Sequence, residues 1–275
     1  MKNRAGTTTA VHAVLLLFAL VGTLPFLWAL MTSLKTPAEA FSMPPVLLFK
    51  PTPGPYVQLL RDGLFGDYLL NSLVVTAWVT AISVVIGCFG AYALARFSGI
   101  GSVIILSASL VLYALPRVAI LLPFYEGAQR TGLFDTKLLL IVVMVAVNQP
   151  FTLWIFESFF REVPQQLEQA AMIDGCTRLQ AFRHVVLPIL GPGLATTSIF
   201  SALFAYNEFL LPVILGGPDS ATMPVLIATY AGSSDVRQWP LFAAAAVTVA
   251  LPLILLVILC QKFIIRGLFS GAVKG

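Results

Sequence analysis

Apolar residues run in long uninterrupted blocks along this chain. Six windows contain no Asp, Glu, Lys or Arg: 5–34, 68–95, 97–116, 138–156, 185–207 and 238–261. A membrane-crossing helix needs about 20 mostly apolar residues, and each window is of that order. The pattern predicts six spans, at about residues 11–34, 68–95, 102–123, 138–158, 190–215 and 239–262. A transmembrane β-barrel would alternate polarity over segments of about 10 residues, and runs such as Leu138 to Val147 do not alternate. The predicted fold class is therefore all-α, a polytopic membrane protein forming one domain over residues 1–275.

Composition sharpens this. The chain is 59% hydrophobic and 10% charged, with 16 Lys/Arg against 12 Asp/Glu in 275 residues. A soluble domain carries roughly 25% charged residues, and disorder needs low hydrophobicity with high charge. Both classes are excluded. Lys2 and Arg4 precede the first block as in a signal peptide. That block exceeds a 7–15-residue signal core, and no small-residue cleavage pattern follows it, so it is expected to be a retained helix. With six spans both termini share a side. Placing them in the cytoplasm gives inner segments a net charge of +5 and outer segments zero, which favours the N-in, C-in orientation.

The outer loop at 35–67 holds Pro37, Pro44, Pro45, Pro51, Pro53 and Pro55 and predicts an extended strap. Pro116 and Pro123 predict a break in the third span. The last outer loop, about 216–239, opens with the turn-forming Gly216, Gly217, Pro218 and Asp219. The inner loop at 161–188 reads as two short helices. Pro164 suits a first helical turn, and Gly175 suits the left-handed position after its end. Leu167, Ala170, Ala171 and Asp174 share one face, and the two alanines leave it low enough for another protein to approach closely. Thr177 and Gln180 form a capping box for the second helix. Leu179, Phe182 and Val186 predict its apolar face, and Pro188 its end.

This loop resembles the EAA loop of ABC-importer membrane subunits, whose pattern is EAA, three residues, Gly, nine residues, Ile, one residue, Leu-Pro. It falls here as Gln169-Ala170-Ala171, Gly175, Val185 and Leu187-Pro188. The family Glu is Gln169, with Glu168 just before it. Asn71-Ser72-Leu73, Ala91–Arg96, the run Tyr206 to Pro212 and the tail Gly267–Gly275 are similar to the second permease of carbohydrate-type importers, as in the maltose and glycerol-phosphate systems. The resemblance implies the type I ABC-importer permease fold in a bacterial cell membrane. It also implies a coupling helix seated in an ATPase, with Glu168, Gln169, Ala170, Ala171, Asp174, Gly175, Leu187 and Pro188 as its residues. The implied partners are a second permease, two copies of a cytoplasmic ATPase, an extracytoplasmic solute-binding protein and membrane lipid, with no nucleic acid.

Glu208 is the one acid deep within a predicted span, Glu157 lying at the end of the fourth, and such groups usually face a cavity or partner. Asn207 and Tyr206 beside it, and Asn71, are the other candidate pathway residues; interhelical or interfacial contacts are the alternative for each. Asn148, Gln149 and Pro150 predict either a cavity lining or a kink. Cys88, Cys176 and Cys260 have no C-x-x-C spacing, and His12 and His184 are not near them, so no metal site is expected. No P-loop, H-E-x-x-H or G-x-S-x-G motif occurs. No catalytic residue or cofactor is assigned to the chain, and ATP and Mg would belong to the partner ATPase. A permease for glycerol-phosphate compounds and an independent secondary carrier are the alternatives. A carrier should show internal repeats or paired broken helices, and no repeat is evident.

Overall fold

A computed structural model of the chain describes residues 3–97, 99–232, 235 and 238–272, with side chains between residues 11 and 262. The side chains of Lys2, Arg4, Arg237, Arg266 and Lys274, which entered the orientation argument, and the end of the Gly267–Gly275 tail lie outside the described residues. Among the described residues there is no strand. In chain order the helices are α1 (Asn3–Ser33), α2 (Pro37–Ala40), α3 (Gly54–Arg61), α4 (Gly63–Arg96), α5 (Ile100–Ala114), α6 (Arg117–Thr131) and α7 (Lys137–Glu162). Then come α8 (Gln165–Ile173), α9 (Arg178–Ala181), a π-helical turn (Phe182–Val186), α10 (Leu187–Ile189), α11 (Gly191–Asn207), α12 (Leu210–Leu215), α13 (Met223–Ala231) and α14 (Trp239–Ala272).

Four segments are long and apolar enough to cross a bilayer: Val11–Ser33, Gly63–Arg96, Lys137–Glu162 and Trp239–Lys262. Two bent pairs raise the number to six if each pair is one span. One is α5 with α6, bent by 89°, and the other is Arg178–Ile189 with α11, bent by 75°. The third predicted span, 102–123, is thus not one straight helix. Proline disfavours helical backbone in the residue before it, and Leu115 before Pro116 is extended (φ −64°, ψ 143°). Pro123 and Pro150 sit inside continuous helices. The fifth predicted span, 190–215, is interrupted between Asn207 and Leu210. Proline placement predicts the first interruption and not the second.

The chain divides into two compact units. One is built from the segments up to Gly66 and from Leu226 to Pro252. There Lys35 is buried, with its ammonium 5.2 Å from the Trp28 ring centre and 5.1 Å from that of Phe49. Cation–π attraction to both rings and a hydrogen bond from Thr52 N to Leu34 O (2.8 Å) fasten the proline-rich segment to the end of α1. That segment is only partly the extended strap expected, because α2 and α3 occupy its ends. Prolines at their first turns give up a donor that would be unsatisfied anyway. Tyr56 bonds Ser33 (2.8 Å), and the Tyr230 hydroxyl donates to Asp62 (2.8 Å).

The other unit is built from Asp67 to Val225 and from Leu253 onward. Its core centres on α7, with α5, α11 and α12 packed on it. Val75 and Val79 of α4, Leu140 and Val143 of α7 and Leu211 and Leu215 of α12 are almost wholly buried together. Gly193 permits close approach of α11 to α7, since a β-carbon there would fall 2.7 Å from the Phe159 ring. A second cluster joins Cys88 and Ala91 to Phe156, Phe160, Phe182 and Val186.

Asp135 gathers the start of the loop after α12. Asp135, itself in the left-handed region (φ 58°), accepts hydrogen bonds from Gly217 N (2.7 Å), Asp219 N (3.2 Å), Ser220 N (2.9 Å) and Ser220 Oγ (2.7 Å). Burial pushes the Asp135 carboxyl up, but these four donors outweigh it and hold it below the ordinary aspartate value. A carboxyl depressed in the folded state stabilises above the unfolded value, and that stability is lost as pH falls through the folded one. Asp135→Ala should therefore cost about 1–3 kcal/mol. It should also flatten the acid side of the stability profile, both read by thermal unfolding in detergent across pH.

Candidate functional site

Two constellations in the second unit carry the residues of interest. The first surrounds the break after α11. Glu208 leaves the helix in extended conformation (φ −68°, ψ 122°), so the first amides of α12 lose intrahelical acceptors. Its Oε1 accepts from Leu210 N (3.1 Å) and Leu211 N (3.4 Å). Its Oε2 accepts from the Arg117 guanidinium. Arg117 is the first residue of α6, directly after the bend at Pro116. One ion pair thus joins two helix breaks.

A narrow cleft opens beside this pair. Its lining includes Tyr113, Arg117, Asn148, Phe151, Phe204 and Glu208, and the Asn148 amide donates to Ser201 Oγ. The cleft presents a cation, an acid, an amide and a phenol beside aromatic faces. Of the predicted pathway residues, Glu208 lines it. Tyr206 is buried in the packing, and Asn207 is exposed and bonds its own helix at Leu203 O (2.8 Å). Asn71 is turned to the outer loop, where its amide donates to Asp219 O (3.1 Å) and Ala221 O (3.0 Å). Neighbouring Ser72 Oγ accepts from Met223 N (2.7 Å). The sequence reading missed Arg117 and Tyr113 as cleft residues. Arg117 follows a helix-breaking proline, and that is the signal that could have found it.

The second constellation is the inner loop. Pro164 is the residue before α8 rather than part of its first turn. Gly175 lies at φ +94°, and the end of α8 closes as a Schellman turn. Cys176 N donates to Ala171 O (3.0 Å) and Gly175 N to Met172 O (3.2 Å). The Thr177–Gln180 capping box is present. Phe182 and Val186 are buried, but Leu179 is 67% exposed and not part of the inward face. Helical structure continues past Pro188 to Ile189 and then bends into α11. The widened π turn at Phe182–Val186 supplies room for the ring packing of Phe182 on Tyr92 (4.7 Å) and Phe89 (5.4 Å).

Gln169, Ala170, Asp174, Gly175 and Pro188 are exposed, and Ala171 and Leu187 partly so. Glu168 is not: it is 6% exposed and turned inward. Its carboxylate pairs with Arg96 Nε and accepts from the Tyr92 hydroxyl (2.9 Å). The same guanidinium donates to Phe160 O (3.1 Å) and Val163 O (3.2 Å) at the end of α7. Arg178 stacks over Phe97 at 5.5 Å.

These geometries make a stability statement at the cleft. Arg117→Met strands a buried carboxylate, whereas the double variant with Glu208→Gln does not. The cycle should show a coupling of about 0.5–3 kcal/mol, measured by denaturation of the purified chain in detergent.

The comparisons with known proteins agree with this architecture. Residues 83–270 match the family described as "Binding-protein-dependent transport system inner membrane component". The chain is 37% identical over 257 residues to the trehalose transport system permease protein SugB of Mycobacterium tuberculosis, covering 92% of each chain. It is 32% identical to the trehalose/maltose transport system permease protein MalG of Thermococcus litoralis, covering 94% of each. Among solved structures it is similar, at TM-score 0.77 and 22% identity, to a bacterial ABC transporter involved in import of the acidic polysaccharide alginate, over 94% of this chain and 98% of that one. The chain belongs to the family of binding-protein-dependent transport system inner membrane components: it is a multi-pass membrane permease component of an ABC transporter.

Proposed function

We propose that the chain forms half of the translocation pathway of an ATP-driven sugar importer. In this reading a second permease supplies the other half. Two ATPase subunits bind ATP and Mg, and an extracytoplasmic binding protein delivers the solute. The similarity to permeases for trehalose and maltose supports the sugar. The cleft at Arg117 and Glu208 suits it, because sugar hydroxyls need donors and acceptors together and the two charges neutralise each other. In this reading the positive-inside bias puts both termini and the 161–188 loop on the ATPase side.

One observation carries the coupling assignment. α8, closed at its C-terminal end by a Schellman turn, presents Leu167, Gln169, Ala170, Met172 and Ile173 outward. Such an apolar face needs a partner or lipid. ATP-driven closure of the ATPases would move α8 and switch the pathway between inward- and outward-facing states.

Proteoliposomes test this. Uptake of trehalose or maltose should require ATP, the ATPase, the second permease and the binding protein. Transport by the chain alone would instead establish an independent carrier. Ala170→Trp should lower both ATPase co-purification and uptake by about tenfold or more, the loss that goes with an interface hot spot.

A further inference from the structure

Within α8 itself the exposed side chains carry no formal charge, and exposed Asp174 stands at its C-terminal cap. The residues of α8 run Gln165-Gln166-Leu167-Glu168-Gln169-Ala170-Ala171-Met172-Ile173, and its one acid is the inward-facing Glu168. Both side chains of the Glu168–Arg96 pair are more than nine-tenths buried. Burying an ion pair costs desolvation that an apolar pair would avoid. Directionality is what the pair adds here. Arg96 is the last residue of α4, and its planar fork reaches three places at once: Glu168 on α8, Phe160 O on α7 and Val163 O just after α7. A lysine ammonium lacks that fork. The far parts of α4 and α7 reach the cleft, through Val79 on one and Met144 and Asn148 on the other.

Resting on the reading of α8 as the ATPase-docking helix, we propose that Glu168 and Arg96 are a positioning pair that makes α4 and α7 follow α8. Glu168 is then no contact for the ATPase. The ATPase is held by the outward side chains of α8, Gln169 among them, and the one acid within that helix works inward. α4 and α7 are continuous helices between the pair and the cleft, so displacement of α8 reaches the cleft walls directly. Tyr92, bonded to the same carboxylate, steadies its orientation.

The test uses the assembled transporter in proteoliposomes, with ATPase retention, ATP hydrolysis and solute uptake measured for each variant. Because the outward side chains of α8 itself are uncharged, the wild type should retain most of its ATPase at about 1 M salt as at about 0.1 M, where screening lengths differ about threefold. Glu168→Gln and Arg96→Lys should also retain it. Their uptake per ATP hydrolysed should fall by about 2- to 30-fold, the range found for substitutions along coupling networks. A purely structural role would lower the yield of complex and leave that ratio unchanged, which would overturn the proposal. So would loss of the ATPase from Glu168→Gln at either salt, which would make Glu168 a docking contact. If Glu168→Gln does not accumulate, Tyr92→Phe removes one bond to the same carboxylate, and its ratio should fall by less but measurably; a wild-type ratio would overturn the proposal. Failure of the wild-type chain itself to retain an ATPase would instead overturn the docking role of α8.

Discussion

Backbone amides and carbonyls freed at a helix end need partners wherever water is kept from them. This chain breaks its helices repeatedly, and a charged side chain answers three of the interruptions. Arg96 takes the carbonyls of Phe160 and Val163 where α7 ends. Glu208 takes the amides of Leu210 and Leu211 where α12 begins. Asp135 takes the amides of Gly217, Asp219 and Ser220 in the loop that follows. Two of the three then close onto an opposite charge, Glu168 and Arg117 respectively. The scarcity of charge along the chain is thus matched by concentration of charge where the backbone is incomplete.

That economy ties the fold to its function. A permease needs rigid helices that move relative to one another and irregular backbone that lines a pathway. The bend at Pro116 and the gap at Glu208 supply irregular backbone beside one cleft. The long continuous α4 and α7 supply rigidity. Where those two helices meet α8, the contact is a fork of charged hydrogen bonds and not apolar packing alone. Apolar surfaces slide easily past one another, whereas a three-pronged guanidinium fixes register.

Much of this was legible in the sequence wherever the signal is local. Charge-free windows located the apolar segments. Gly175, Thr177 and Gln180 located the turn and cap of the inner loop, because such motifs are completed within a few residues. Pro116 marked a real bend, while Pro123 and Pro150 did not, because a helix wrapped by neighbours tolerates proline. The pairings were not legible. Glu168 lies 72 residues from Arg96 and Glu208 lies 91 from Arg117, and no periodicity connects positions so far apart. Successive helical residues point about 100° apart, which separates Glu168 from Gln169, but only the fold shows that Glu168 faces the interior. Asn71 was ambiguous because an amide beginning a span reads the same whether it faces a solute or bonds, as here, the carbonyls of a distant loop.

The most direct measurement is a structure of the assembled transporter with its ATPase in place. The Glu168 carboxylate should still sit on Arg96, with Gln169 and Ala170 against the ATPase and the Arg96 fork still closed on the end of α7. A Glu168 side chain swung outward onto a basic residue of the ATPase, leaving Arg96 with the carbonyls alone, would contradict it.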